Sequence, residues 1–150
     1  MRRLIGLLAL GGLLAVMASG CGGGSSKPLD KAAYEKQMRA VGADLTKSLN
    51  ALTASTGSAT KAAAALVALQ THLRTAEKEL GSITPPVNVK TQHADLVTAL
   101  GEFADELDPV ITQLKAGKMT ALNDIGTMKG LNDIETASNA IAAKGYKIGT

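Results

Sequence analysis

Aromatic side chains are nearly missing from this chain. Of 150 residues only Tyr34, Phe103 and Tyr146 are aromatic, and tryptophan is absent. A surface that stacks nucleic-acid bases needs more rings than that, so nucleic acid is not an expected partner. Cysteine is scarcer still: the single Cys21 excludes an intrachain disulfide and any cysteine-clustered zinc or iron–sulfur centre. Strand signals are lacking too, because no segment combines alternation, β-branched density and hairpin turns. Neither sign of charge is in large excess: sixteen basic residues stand against thirteen acidic ones, a formal net charge of +3.

What is present starts at the N-terminus. Met1-Arg2-Arg3 is a positively charged start, residues 4–18 form an apolar run, and small residues follow up to Cys21. That is the layout of a secretory signal peptide. As a permanent span the run is short against the roughly 20 apolar residues a bilayer needs. Residues 22–26 (Gly-Gly-Gly-Ser-Ser) then read as a flexible tether. If residues 1–20 are discarded, Arg2 and Arg3 go with them, and fourteen basic residues remain against thirteen acidic, a net of +1. Electrostatic capture by nucleic acid or an anionic surface is accordingly disfavoured.

The tetrapeptide Ala18-Ser19-Gly20-Cys21 resembles the lipobox of bacterial lipoproteins. The resemblance implies that Ala18, Ser19 and Gly20 are recognised by the signal peptidase. Cys21 would become the lipidated first residue, carrying palmitate-type acyl chains, and the chain would be anchored on the extracytoplasmic side of the cell membrane. The family favours leucine where this chain has Ala18. Gly22 is not the aspartate that retains some Gram-negative lipoproteins at the inner membrane. The Gly/Ser tract is similar to those of small actinobacterial lipoproteins of uncharacterised function that carry a helical domain. Two or more acyl chains hold a protein stably, at about 0.8 kcal/mol per buried methylene.

Beyond the tether, apolar residues recur at helical spacing. Tyr34, Met38, Val41, Leu45, Leu49 and Leu52 predict a first helix over 30–55, with Asp30 as its N-cap and Gly57 as its C-cap. Ala62, Leu66, Leu69, Leu73, Ala76 and Leu80 predict a second over 58–80, stopped by Gly81 and the Pro85-Pro86 pair. A third is predicted over 86–116 from Val89, His93, Leu96, Leu100, Phe103, Leu107, Val110 and Leu114, with a kink or restart at Asp108-Pro109. A turn at Gly117 leads into a fourth over 119–144, patterned more loosely by Leu122, Ile125, Met128, Leu131, Ile134, Ala137 and Ile141. Four such helices predict an all-α, antiparallel up-down-up-down four-helix bundle over residues 30–150, following a leader (1–20) and a lipidated tether (21–29).

The chemistry-bearing motifs are few. Neither His72 nor His93 sits in the Glu-x-x-His spacing of di-iron bundles, and no haem-attachment, phosphate-loop, nucleophile-elbow or metalloprotease motif occurs. No cofactor, metal or catalytic residue is expected. His93 interrupts the third apolar stripe; it is expected to pack its ring and bond a carbonyl near residues 83–86, or else to serve as a ligand or pH-sensitive contact. Glu102, Asp105, Glu106 and Asp108 form an acidic cluster that reads as a solvated helix face or as a cation or basic-partner contact. Gly126-x-x-x-Gly130 has the spacing of a close-approach motif. The expected function is a non-enzymatic lipoprotein whose bundle binds an envelope partner or is structural. The alternative is a bundle that holds a small ligand or cation at the cell surface through His93, Glu102, Asp105 or Glu106.

Overall fold

The structure, a computed structural model, describes residues 27–55 and 57–149. The leader, Ala18, Ser19, Gly20, Cys21 and most of the tether lie outside the described residues. The fold is all-α: helices α1 (Lys31–Thr53), α2 (Ala59–Gly81), α3 (Lys90–Lys115) and α4 (Lys129–Ala143) follow one another along the chain, and no strand occurs among the described residues.

Local chemistry sets most of the boundaries. Asp30 caps α1 through its side chain, which accepts the Ala33 N–H at 2.8 Å, satisfying one of the amides a helix start leaves unpaired. After Gly81, Pro85-Pro86 prevents continuation, and Val87–Val89 makes one 3-10 turn before α3. Gly117 and Gly145, both at φ +84°, terminate the last turns of α3 and α4 in the left-handed conformation only glycine adopts without strain.

Three boundaries differ from expectation. Gly57 is not the C-cap of α1; Ala54 is, in right-handed conformation, so the helix ends before the glycine is reached. Of the kink or restart expected at Asp108-Pro109, the restart does not occur: α3 continues through the proline. Pro109 deprives the Asp105 carbonyl of its helical donor at a position where both residues are exposed to solvent. The third difference matters most. The fourth segment is not one helix: Met119–Thr127 is a nine-residue 3-10 helix, Met128 is extended (φ −66°, ψ 137°), and only fifteen residues form α4. The apolar residues Met119, Leu122, Ile125 and Met128 recur every third position, the repeat of a 3-10 helix rather than of an α-helix.

The core is built around α3, which buries eleven residues, whereas α1 buries three. Leu66, Leu69 and Leu73 of α2 and Leu100, Leu107 and Leu114 of α3 are almost fully enclosed, with Ile141 of α4 against them. Each such side chain contributes about 1.5–3 kcal/mol of burial. Buried alanines, Ala62, Ala63, Ala76, Ala104 and Ala137, keep the helices close. Packing runs serially, α1 on α2, α2 on α3 and α3 on α4, and α1 meets α4 at most marginally. The stripe of α1 is therefore covered only at Tyr34 and Met38; Val41, Leu45 and Leu52 are half-buried, and Leu49 remains 43% exposed.

Candidate functional site

The gap between α1 and α4 is an elongated apolar cleft of about 320 Å³. One wall comes from Met38, Val41, Gly42 and Leu45 on successive turns of α1, the other from Ile134, Ser138 and Ala142 of α4. At a rise of 1.5 Å per residue, eight residues on either wall make it about 12 Å long. Its floor is Leu80, Leu96 and Leu100, the same leucines that close the core, so the cleft rests on packed structure. No charged side chain lines it; the polar groups at its rim are Thr46, Ser138 and Asn139. Its volume lies at the low end of the range of small-molecule sites, and its lining has the same apolar bias.

The C-terminal tail bridges the two walls. Lys147 donates its N–H to Glu35 at 2.9 Å and accepts from the Arg39 guanidinium at 2.7 Å, and Ile148 then reaches the cleft. That backbone donor, reinforced by Lys31 and Arg39, holds the Glu35 carboxyl below the usual carboxylate range despite an opposing desolvation. Tyr146 meets Tyr34 edge-on at 5.4 Å between ring centroids and donates its hydroxyl to Asn88 at 2.7 Å.

His93 lies beneath this junction, 4% exposed. Its Nε2 is 3.0 Å from the Leu80 carbonyl and its Nδ1 is 3.1 Å from the Tyr34 hydroxyl. A carbonyl only accepts, so Nε2 carries the proton and Tyr34 donates to Nδ1. The expected packing of the ring is what the structure has, but the carbonyl belongs to the last turn of α2 rather than to residues 83–86. Both ring nitrogens are engaged, which leaves neither for a ligand. Burial pushes the His93 pKa down, opposed by the Leu80 bond, and burial with Tyr146 nearby pushes Tyr34 up to about 12. His72, expected at the surface, is exposed and bonds the buried Ser48 hydroxyl.

The four clustered carboxylates of α3, Glu102, Asp105, Glu106 and Asp108, split between two flanks instead of converging. Glu102 accepts from Lys129 at 2.7 Å, and Glu106 accepts the Gly130 N–H at 2.9 Å, both toward α4. Asp105 pairs with Arg74, and Asp108 accepts from Gln70 at 2.7 Å, both toward α2. Glu106 supplies a cap that α4 lacks locally, since Met128 has no side-chain oxygen. No group of three metal-binding side chains occurs among the described residues. A wider groove of about 430 Å³ between α3 and α4 is polar, and Lys129 spans it from Glu102 to Asp133.

Sequence reasoning assigned Val41, Leu45 and Ile134 to a closed core and so missed the cleft. The signal is the three-residue spacing of Met119, Leu122, Ile125 and Met128, which marks the 3-10 segment that shortens the last helix and leaves the α1 stripe without a full-length partner. No family model matches the chain, and neither any curated protein nor any solved structure matches it.

Proposed function

We propose that the chain is a non-enzymatic, lipid-anchored extracytoplasmic lipoprotein whose helical bundle holds a small apolar ligand in the cleft between α1 and α4. The cleft is the observation that carries this reading: two turns of unpartnered apolar surface on α1 face α4 over a leucine floor, without a charged group. It favours the ligand-binding expectation over a purely structural role. It also moves the ligand away from His93 and the acidic cluster, whose polar atoms are already used between helices. The anchor rests on Ala18-Ser19-Gly20-Cys21 and the run before it. No helix among the described residues is long and apolar enough to cross a membrane. The up-down-up-down order is supported by the α2–α3 pairings, in which Gln70 meets Asp108 and Arg74 meets Asp105, so partners step in opposite directions.

Two experiments test the parts separately. A Cys21→Ser variant should lose metabolic palmitate labelling and leave the membrane fraction; unchanged membrane association would point to an uncleaved N-terminal span instead. For the cleft, binding of a fluorescent fatty-acid analogue is measured on the protein and on Ala142→Phe, which places a ring in the cleft from an exposed position. The variant should bind at least tenfold more weakly at unchanged melting temperature. Equal binding by both proteins, or none by either across a panel of apolar probes, sinks the cleft reading.

A further inference from the structure

Net charge conceals how the charges are distributed. At one end of the bundle the start of α1, the α2–α3 connection and the tail are pinned together. Leu29 N–H donates to the Thr84 carbonyl at 2.9 Å, Tyr146 reaches Asn88 at 2.7 Å, and the Lys31 ammonium lies 5.5 Å from the Tyr146 ring centroid. Within one helical turn of this end stand Lys27, Lys31, Lys78, Lys90, Lys144 and Lys147, all exposed. Opposing them are Asp30, whose carboxylate caps α1, Glu79, and Glu35, which pairs with both Lys31 at 4.0 Å and Arg39 at 3.7 Å, so the cations of this end, Arg39 included, still outnumber its carboxylates. The opposite end carries Lys61, Lys115 and Lys118 against Asp124, and most carboxylates belt the middle. The most exposed large apolar side chain also lies at the lysine-rich end: Val87, 80% exposed, follows the stiff Pro85-Pro86 pair in the α2–α3 connection.

We infer that this end of the bundle is a membrane-docking face, in which the six lysines sit on anionic lipid headgroups and Val87 enters the interface. The direction, though not the chemistry, rests on the lipid-anchor reading of Cys21. Cys21 lies six residues before Lys27, so the anchor is at most about 20 Å from this end. A Gly/Ser-type tether of that length spans about 13 Å on average, comparable with the roughly 8 Å over which exposed charges act at physiological salt. The tether therefore holds these lysines, and not those of the opposite end, within the field of the leaflet. Tethering raises the effective concentration to the millimolar range, enough to populate a weak contact. Each lysine that reaches an anionic surface favours docking about fivefold.

The test uses the lipidated protein in phosphatidylcholine vesicles with and without phosphatidylglycerol, carrying an environment-sensitive fluorophore on Val87→Cys or, at the opposite end, on Thr60→Cys. With Cys21 lipidated, the introduced thiol is the only free one. A lipid-borne quencher should reach the label at 87 in the anionic vesicles only, reversed by high salt, and should not reach the label at 60. Replacing Lys31, Lys90 and Lys144 by Gln should lower the docking equilibrium constant (docked over undocked, read from the quenching) about a hundredfold, three factors of five. Replacing Lys61, Lys115 and Lys118 by Gln should change it less than twofold. Equal quenching at both labels, quenching without phosphatidylglycerol, or equal effects of the two triple variants overturns the proposal. So does binding of a soluble polyanion that depends on the same lysines while the label at 87 stays unquenched. Sedimentation of the Cys21→Ser chain with anionic vesicles separates the two readings. Salt-sensitive binding lost in the first triple variant upholds docking even if Cys21 proves unlipidated, and no binding by a lipidated protein's label at 87 refutes docking while leaving the anchor intact.

Discussion

Gly126 and Gly130 share one sequence motif, and the structure assigns them opposite responses to the same substitution. A Cβ on Gly130 would fall 2.4 Å from the Phe103 nitrogen, 2.6 Å from its Cα and 2.7 Å from its Cβ, whereas one on Gly126 meets nothing within 4 Å. Comfortable carbon contacts lie at about 3.5–4.0 Å. Phe103 is 2% exposed in the middle of the central helix and cannot yield its backbone. In Gly130→Ala the start of α4 must therefore move out by about 1 Å, lengthening the Glu106 cap and loosening Ala137 and Ile141. Because the overlap is with backbone atoms, the cost falls in the upper part of the overpacking range, about 2–3 kcal/mol, and up to about 1 kcal/mol of helix propensity regained on replacing glycine leaves a net loss of about 1–2 kcal/mol. Gly126 is exposed and is not at positive φ, so Gly126→Ala should gain about 0.4–1 kcal/mol through the unfolded chain. Urea denaturation with a common m-value measures both. A neutral or stabilising Gly130→Ala, or a Gly126→Ala as damaging as its partner, would refute the close approach of α4 to α3.

Further predictions concern the polar contacts. Tyr34→Phe leaves buried Nδ1 of His93 without a donor and should cost about 1–3 kcal/mol by urea denaturation. Because His93 has a depressed pKa when folded, the unfolded chain takes up protons first as pH falls below about 6.5, so stability is full above that value and declines beneath it. With Tyr34 raised to about 12 when folded, the unfolded tyrosine ionises first, and stability should also fall as pH rises past about 10. A melting temperature unchanged between pH 7 and 5 in the parent protein would contradict the histidine assignment. Pro109→Ala restores a donor to the Asp105 carbonyl and should stabilise by about 1–3 kcal/mol, read as an increased denaturation midpoint. Glu106→Ala removes the cap of α4 and should cost about 1 kcal/mol, while Glu102→Ala, losing only an exposed pair with Lys129, should cost under about 0.5 kcal/mol.

Much of this was legible in advance because helical periodicity is a local property. Alternating spacings of three and four marked α1, α2 and α3 to within a few residues, and Asp30, Pro85-Pro86 and Gly117 punctuated them through their own backbone chemistry. Periodicity misleads at 119–128, where a spacing of three resembles a loose α-stripe but is the repeat of the 3-10 helix that Met119–Thr127 adopts; only Lys129–Ala143 is α-helical. His93 was legible as a packed ring but not in its partners, since the Tyr34 hydroxyl lies 59 residues away in sequence.

By itself, the sequence determined the all-helical class and three of the four helices, because each depends on neighbours within a few residues. Only tertiary structure decided that α1 keeps half its apolar stripe uncovered, that the acidic residues of α3 face two different helices, and that six lysines share one end. Those outcomes depend on where a helix of fifteen residues stops short of one of twenty-three, and on which chain ends the turns bring together. Distances of that kind arise only when the elements pack.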